Sequence, residues 1–219
     1  MSPEMMDLLM TGTWETLYMT LVSTAIAYVI GVPVGVILYV TGEGGIRQNR
    51  AVNFVVGIIV NILRSVPFLI LLVAILPFTR AVVGTTIGST ATIVPLVVAA
   101  APYVARMVES SLKEVDAGVI EAARAMGSST FQMIWKVFLP EARPSLLVGA
   151  TISLATILGY SAMAGFVGGG GLGAIAINYG YYRYQSDVML ITVALLVVIV
   201  QIFQEGGLKL VNKVDKRLR

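Results

Sequence analysis

The side chains best able to do chemistry lie between residues 116 and 140, the longest polar stretch in an otherwise very apolar sequence. Their chemistry is non-covalent. Asp116 can accept hydrogen bonds from the free N–H groups at the start of a helix, and Gly127 can adopt the left-handed conformation that ends one. One of the hydroxyl residues 128–130 can cap a second helix, and Pro140 can end it. The pattern predicts two short helices joined by a glycine turn.

The second of these helices carries an apolar face. Phe131, Ile134, Trp135 and Phe138 fall at i, i+3, i+4 and i+7, which places them on one side of an α-helix. An apolar face outside the membrane must be covered by something. Two interpretations are open at this point. The face packs on its own bundle or in the lipid interface, or it docks into a partner protein in the cytoplasm.

Several kinds of reactive site are absent from the sequence. It contains no cysteine and no histidine, which excludes disulfides, thiolate nucleophiles, histidine metal ligands and Ser-His-Asp triads. No Gly-x-x-x-x-Gly-Lys-Ser/Thr sequence is present to bind ATP phosphates. No set of acid, base and nucleophile stands out in the apolar segments. We therefore expect no catalytic residue, no metal site and no cofactor bound by this chain, and we expect that the chain is not an enzyme.

Composition places the chain in a membrane. Its 219 residues are 57% hydrophobic and 12% charged, with a mean hydropathy of +0.88, whereas soluble domains carry about 25% charged residues. We predict an all-α integral membrane fold, with five transmembrane helices in one domain. The polar stretch lies in a loop over 113–143. The predicted spans are 17–40, 51–78, 91–112, 145–166 and 188–210.

Three charged residues fall inside the second and third predicted spans. Arg64 precedes Pro67 near the middle of the second span, and a mid-helix arginine costs about 2.5–3.5 kcal/mol on insertion scales. It should therefore face the bundle or water, either paired with backbone carbonyls freed by Pro67 or acting in a solute path. Arg106 and Glu109, three residues apart near the end of the third span, are spaced for an ion pair on one helix face.

Glycine patterns predict close packing in one place and flexibility in another. Gly31 and Gly35 form a small-xxx-small pattern, which lets a second helix approach closely. The run from Ala164 to Gly173 contains six glycines. No strand precedes this run, so it is not a dinucleotide-binding loop. We expect it to be a flexible segment that leaves the membrane.

The distribution of basic residues predicts the orientation. Eleven Lys and Arg residues lie on one predicted side of the membrane and two on the other. The basic side comprises the segments 41–50, 109–144 and 205–219. Because basic loops stay in the cytoplasm, the N-terminus should be outside and the C-terminus inside. Glu4 and Asp7 are the only charges in the first ten residues, so we expect no cleaved leader.

The polar stretch also matches the pattern of a known family. The matching residues are Glu121, Ala122, Ala123, Gly127, Leu139 and Pro140. The stretch resembles the EAA loop of ATP-binding-cassette (ABC) importer permease subunits, which usually have Ile where this chain has Val137. The resemblance implies that residues 113–143 form a coupling loop docked on a separate ATPase subunit, which binds ATP and Mg²⁺. Glu121 would meet a basic group there. The apolar residues that would fill the ATPase cleft or brace the loop are Phe131, Ile134, Trp135 and Phe138.

Over nearly all of its length the chain resembles the methionine branch of these permeases. The segments that carry this resemblance are Arg64–Pro67, Gly159–Gly165 with the glycine run, and Asn178–Gly180. It implies a homodimer in the bacterial inner membrane, two cytoplasmic ATPase subunits, and a periplasmic or lipid-anchored methionine-binding protein. It implies no nucleic-acid partner. The activity implied is import of L- and D-methionine by alternating access.

A path for the solute is expected near the outer end of the fourth span. Tyr160, Ser161 and Met163 are the candidate path residues there, and Arg64 is the candidate in the second span. Met163 could instead be core filler. A stand-alone channel is disfavoured because the sequence has no rings of charge or carbonyl filter. A permease of the same family for another amino acid or an osmolyte stays open as the alternative.

Overall fold

The computed structural model describes residues 3–214. Within that range the backbone is helical and forms no strand. The basic residues Lys216, Arg217 and Arg219, which entered the predicted orientation, lie outside it. The α-helices are α1 (Pro3–Thr41), α2 (Arg50–Ser65), α3 (Phe68–Ala74), α4 (Leu76–Val83), α5 (Ser89–Lys113), α6 (Ala117–Ala125), α7 (Thr130–Met133), α8 (Leu139–Glu141), α9 (Arg143–Ala164), α10 (Gly171–Ile175) and α11 (Ser186–Val214). A 3-10 helix covers Gly165–Val167, and π-helices cover Ile134–Phe138 and Ala176–Tyr181.

Among the described residues, four helices are long and apolar enough to cross a membrane: α1, α5, α9 and α11. The pair α2 and α3 meets the same criterion but is bent by 102°. The all-α membrane fold is confirmed. Within the predicted second span, 51–78, the helix breaks between Ser65 and Phe68. Val66 is extended, with φ −80° and ψ 124°, because the ring of Pro67 disfavours the helical conformation in the residue before it.

The most extensive helix contact joins α1 to α5. Gly31 lies against Val104 and Gly35 against Val108, so closely that a Cβ on either glycine would collide with α5. The prediction that these glycines admit a neighbouring helix is confirmed. α1 extends well before residue 17, as far as Pro3, the first residue that the structure describes. Both Pro3 and Glu4 are residue types that are favourable near the start of a helix.

The glycine run is a closely packed turn. We use the name glycine loop for residues 165–173, which connect α9 to the start of α10. Gly169 and Gly173 are buried, and Gly168 and Gly170 both have φ of 79°, a conformation that glycine adopts without strain. Where a flexible segment was expected, the loop backbone is hydrogen-bonded to α1 and to the start of α5.

Candidate functional site

The coupling loop folds as the predicted helical hairpin. Asp116 Oδ1 accepts a hydrogen bond from the Gly118 N–H at the start of α6, with an N···O distance of 2.8 Å. Gly127 follows α6 in the left-handed conformation, with φ 76°. Of the three predicted hydroxyl caps, Ser129 is the one used, and it forms a reciprocal capping box with Gln132. Side chains of the hairpin itself thus accept hydrogen bonds from free backbone N–H groups at the start of α6 and of α7.

One side of the hairpin is anchored in the protein core. Ala123, Met133 and Phe138 are each at most 3% exposed and belong to the same core cluster. The Phe138 ring meets the Tyr39 ring of α1 edge-on, with centroids 5.1 Å apart. Leu139 is half-buried against this cluster. The hairpin is therefore attached to the spans by packed side chains, so a force applied to it is transmitted to α1 and α9.

The opposite side of the hairpin is uncovered. Phe131 and Trp135 are 68% and 59% exposed, and their ring centroids lie 6.0 Å apart. Met126, at 79%, is more exposed still, and Glu121 and Ala122 are exposed on α6. We call these five residues the docking surface. Two large, exposed aromatic rings in contact with each other are typical of a surface that a partner protein covers.

A change of helix type divides the predicted apolar face. The chain is a π-helix from Ile134 to Phe138, and its wider turn rotates later residues away from their α-helical positions. Phe138 therefore lies in the core while Phe131 and Trp135 are exposed. The four residues therefore do not share one exposed face: Phe138 lies in the core, as expected of a residue that braces the loop, and Ile134 is half-buried against the core.

Pro140 does not end the helical path, contrary to the prediction. It lies in the first turn of α8, where its missing N–H costs no hydrogen bond. After Ala142 the chain continues directly as α9. The second half of the coupling loop and the fourth span are consequently joined without an intervening loop.

The break in the second span borders the fourth span. Phe68, the first residue of α3, stacks on Tyr160 of α9 with centroids 4.5 Å apart and ring planes 5° apart. Arg64 lies in the last turn of α2, directly before the break, and is exposed. Its side chain makes no hydrogen bond or ion pair to any residue in the range 3–214. The predicted pairing of Arg64 with freed carbonyls is not formed, since the chain turns away by 102° after Ser65.

The candidate path residues of α9 have different environments. Met163 is 36% exposed, and Tyr160 is half-buried against the main core. Ser161 is 1% exposed, and its hydroxyl donates to the Leu158 carbonyl at 2.8 Å. In this conformation Met163 and part of Tyr160 can meet a solute, whereas Ser161 cannot.

A charged network connects the second and third spans. The predicted ion pair between Arg106 and Glu109 is confirmed. The network has two further members that were not expected from the sequence, Lys113 and Asn61. Lys113 Nζ donates to Glu109 at 2.8 Å, and Arg106 donates to the side chain of Asn61 on α2 at 2.8 Å. The spacing of Glu109 and Lys113, four residues apart, is the signal that could have revealed the first of these.

The coupling loop, the broken second span and the charged network do not form a reactive centre. The part of the chain that the structure describes has no group of three or more metal-ligating side chains. The family model described as "Binding-protein-dependent transport system inner membrane component" matches residues 31–206.

This chain belongs to that family of inner membrane transport components. The matched range includes the coupling loop, the broken second span and the glycine loop. The resemblance to ABC importer permeases and to their methionine branch is confirmed by the relatives.

Two of these relatives come from different bacterial species. The probable D-methionine transport system permease protein MetI of Vibrio cholerae is 53% identical over 211 residues, covering 96% of this chain and 94% of the relative. The D-methionine transport system permease protein MetI of Escherichia coli strain K12 is 58% identical over 165 residues, covering 75% of this chain and 76% of the relative.

Solved structures have the same fold. A chain of the inward-facing MetNI methionine ABC transporter is 54% identical, with a TM-score of 0.97 and coverage of 99% of this chain and 100% of that chain. A chain of an amino acid ABC transporter solved with histidines is 21% identical, with a TM-score of 0.74 and coverage of 97% and 95%. The second likeness concerns the fold alone.

Proposed function

We propose that this chain is the permease subunit of an ABC importer that moves L- and D-methionine across the bacterial inner membrane by alternating access. The observation that carries the proposal is the agreement of the whole chain with one protomer of a methionine transporter, at a TM-score of 0.97 and 54% identity. The MetI relatives, at 53% and 58% identity, point to the same substrate.

The working assembly contains more than this chain. Five spans are few to enclose a path, and a second copy completes it by two-fold symmetry. ATP and Mg²⁺ bind to two separate ATPase subunits, since this chain has no phosphate-binding loop. A methionine-binding protein delivers the solute from outside. The N-terminus lies outside and the coupling loop in the cytoplasm, in agreement with the basic residues.

The docking surface transmits the ATPase motion. Phe131 and Trp135 enter a cleft of the ATPase subunit, and Glu121 pairs with a basic group at its rim. ATP binding brings the two ATPase subunits together, and the hairpin moves with them. Because Ala123, Met133 and Phe138 fix the hairpin to the core, the motion tilts α9 and opens the path outward.

Solute passes the outer end of α9 in this mechanism. Met163 presents a flexible thioether to an apolar amino acid without binding it tightly. Arg64, exposed at the broken span, supplies a positive charge for the carboxylate of the solute. Tyr160, stacked on Phe68, connects the break to the path. Ser161 contacts solute only after α9 has moved.

Uptake by the reconstituted complex tests this function. The tagged chain is co-expressed with the candidate ATPase and binding protein, purified as one complex and placed in proteoliposomes. We expect ATP-dependent uptake of L- and D-methionine, and no uptake of glycine betaine. If the complex takes up another amino acid or the osmolyte but no methionine, the proposed substrate is wrong and the assignment to an ABC importer stands. A chain that purifies without any ATPase would overturn the proposal.

A further inference from the structure

The glycine loop joins the ends of three helices on the side of the bundle opposite the coupling loop. The Gly88 N–H, just before α5, donates to the Gly168 carbonyl at 2.9 Å. The Thr92 hydroxyl of α5 donates to the Gly169 carbonyl at 3.1 Å. The Gly169 N–H donates to the Ala164 carbonyl at the end of α9, at 3.0 Å. The loop is thus fixed to α5 and α9 through its own backbone.

The contact with α1 has a different character, because two adjacent side chains make it. Glu15 Oε2 accepts from the Gly171 N–H at 2.6 Å, and Thr16 Oγ1 accepts from the Leu172 N–H at 2.9 Å. These N–H groups open α10 and have no acceptor within their own helix. Thr16 and Leu172 are buried. A hydrogen bond to a carboxylate is about twice as strong as one between neutral groups. The hydrogen bond accepted by Glu15 is therefore stronger than the one accepted by Thr16.

α10 in turn determines the position of the outer end of α9. Gly173 lies directly against the backbone of Ala162, and Gly165 against the backbone of Gly173 and Ala174. A Cβ on either glycine would overlap these atoms, so the two backbones are in van der Waals contact. Met163 lies within this contact region. Any displacement of α10 therefore displaces the residues that border the proposed path.

We propose that Glu15 is a positioning residue for transport. Its carboxylate fixes α10, and through α10 the outer end of α9, to α1, so that these three helices move as one body when the path opens. Its effect on uptake depends on the proposed path along α9. The anchoring of α10 is independent of that function and can be measured without transport.

Hydrogen–deuterium exchange of the purified complex with its ATPase measures the anchoring directly. Glu15→Ala should raise the exchange rate of the segment 170–173 about tenfold, the factor expected for loss of one hydrogen bond to a charged group. Glu15→Gln keeps an acceptor oxygen at the same reach and should change the rate by less. Asp7→Asn is the matched control, since Asp7 is an exposed acid on the same helix and should leave the rate unchanged. Thr16→Val, nearly isosteric, should also raise exchange at Leu172.

Uptake by the same variants tests the consequence. Glu15→Ala should lower the maximal rate several-fold and leave KM unchanged, because the binding protein still delivers solute, and Glu15→Gln should restore most of the rate. Unchanged exchange in both Glu15→Ala and Thr16→Val would overturn the anchoring. Faster exchange with normal uptake would overturn the positioning role. If wild-type complex shows no methionine uptake, the proposed function fails while the exchange result still decides the anchoring.

Discussion

At the scale of single residues, the coupling loop contains aromatic side chains in opposite environments. Trp135 is 59% exposed and Phe138 is fully buried, although they are three residues apart. The exposed ring contributes little to the stability of the protomer, and the buried ring contributes much. Replacing Trp135 should therefore affect docking on the ATPase, whereas replacing Phe138 should affect the stability of the protomer.

We predict that Trp135→Ala leaves the thermal stability of the permease in detergent unchanged and lowers both uptake and solute-stimulated ATPase activity at least severalfold. Phe138→Ala is the contrasting variant. Removing a fully buried phenylalanine costs about 3–5 kcal/mol, so its melting temperature and its yield should fall. Equal loss of stability in the two variants, or normal coupling in Trp135→Ala, would show that the docking surface has no partner.

The path residue Met163 gives a second test at this scale. Met163→Trp should lower methionine uptake, because a rigid, larger ring occupies the surface that the solute passes, and Met163→Ala should change the rate less. Leu190→Trp is the control, since Leu190 is 69% exposed on α11 and is not one of the candidate path residues. Wild-type initial rates of uptake in both Met163 variants would remove Met163 from the path.

At the scale of elements, the glycine between the two coupling helices sets their relative direction. Gly127 has φ 76°, and its N–H donates to the Arg124 carbonyl at 2.9 Å. Alanine in this conformation costs roughly 1–2 kcal/mol, and proline can adopt neither the angle nor the hydrogen bond. We predict partial loss of uptake for Gly127→Ala and complete loss for Gly127→Pro, with membrane insertion retained, as checked by immunoblot of the membrane fraction.

Gly159→Ala is the control for the glycine experiment. A Cβ at Gly159 meets no atom within 4 Å, and the residue lies inside α9, where alanine favours the helix by about 0.5–1 kcal/mol. Uptake and stability should therefore be unchanged or slightly improved. If Gly127→Ala is as mild as Gly159→Ala, the left-handed turn is not needed for coupling.

The elements also show where sequence reasoning succeeds and where it stops. Caps such as Asp116 and Ser129, and the close contact at Gly31, are local or depend on residue size, so spacing alone predicts them. The π-helix that buries Phe138 depends on packing against Tyr39 of α1, a contact 99 positions away in sequence. The turn formed by the glycine loop likewise includes a hydrogen bond to Glu15, which is 156 positions away from Gly171. Long-range contacts of this kind leave no periodic signal in the chain.

At the scale of the whole molecule, the orientation of the bundle is a prediction that the chain makes easy to test, because it contains no cysteine. Met126 is 79% exposed in the coupling loop and Tyr184 is 88% exposed between α10 and α11. In intact spheroplasts that express the permease without its ATPase, a membrane-impermeant maleimide should label Tyr184→Cys and spare Met126→Cys until the membrane is opened. The reverse pattern would invert the topology and place the coupling loop away from ATP.

The most direct test of the account is a photo-cross-linking amino acid placed at position 135 in the assembled, functional complex. We expect ultraviolet light to join this chain to the ATPase subunit, and the same amino acid at position 184 to give no such product. The contradicting result is a set of cross-links from position 135 that reach only this chain or lipid, in a complex that still hydrolyses ATP and imports methionine. In that case the ATPase subunit does not bind the permease at the hairpin.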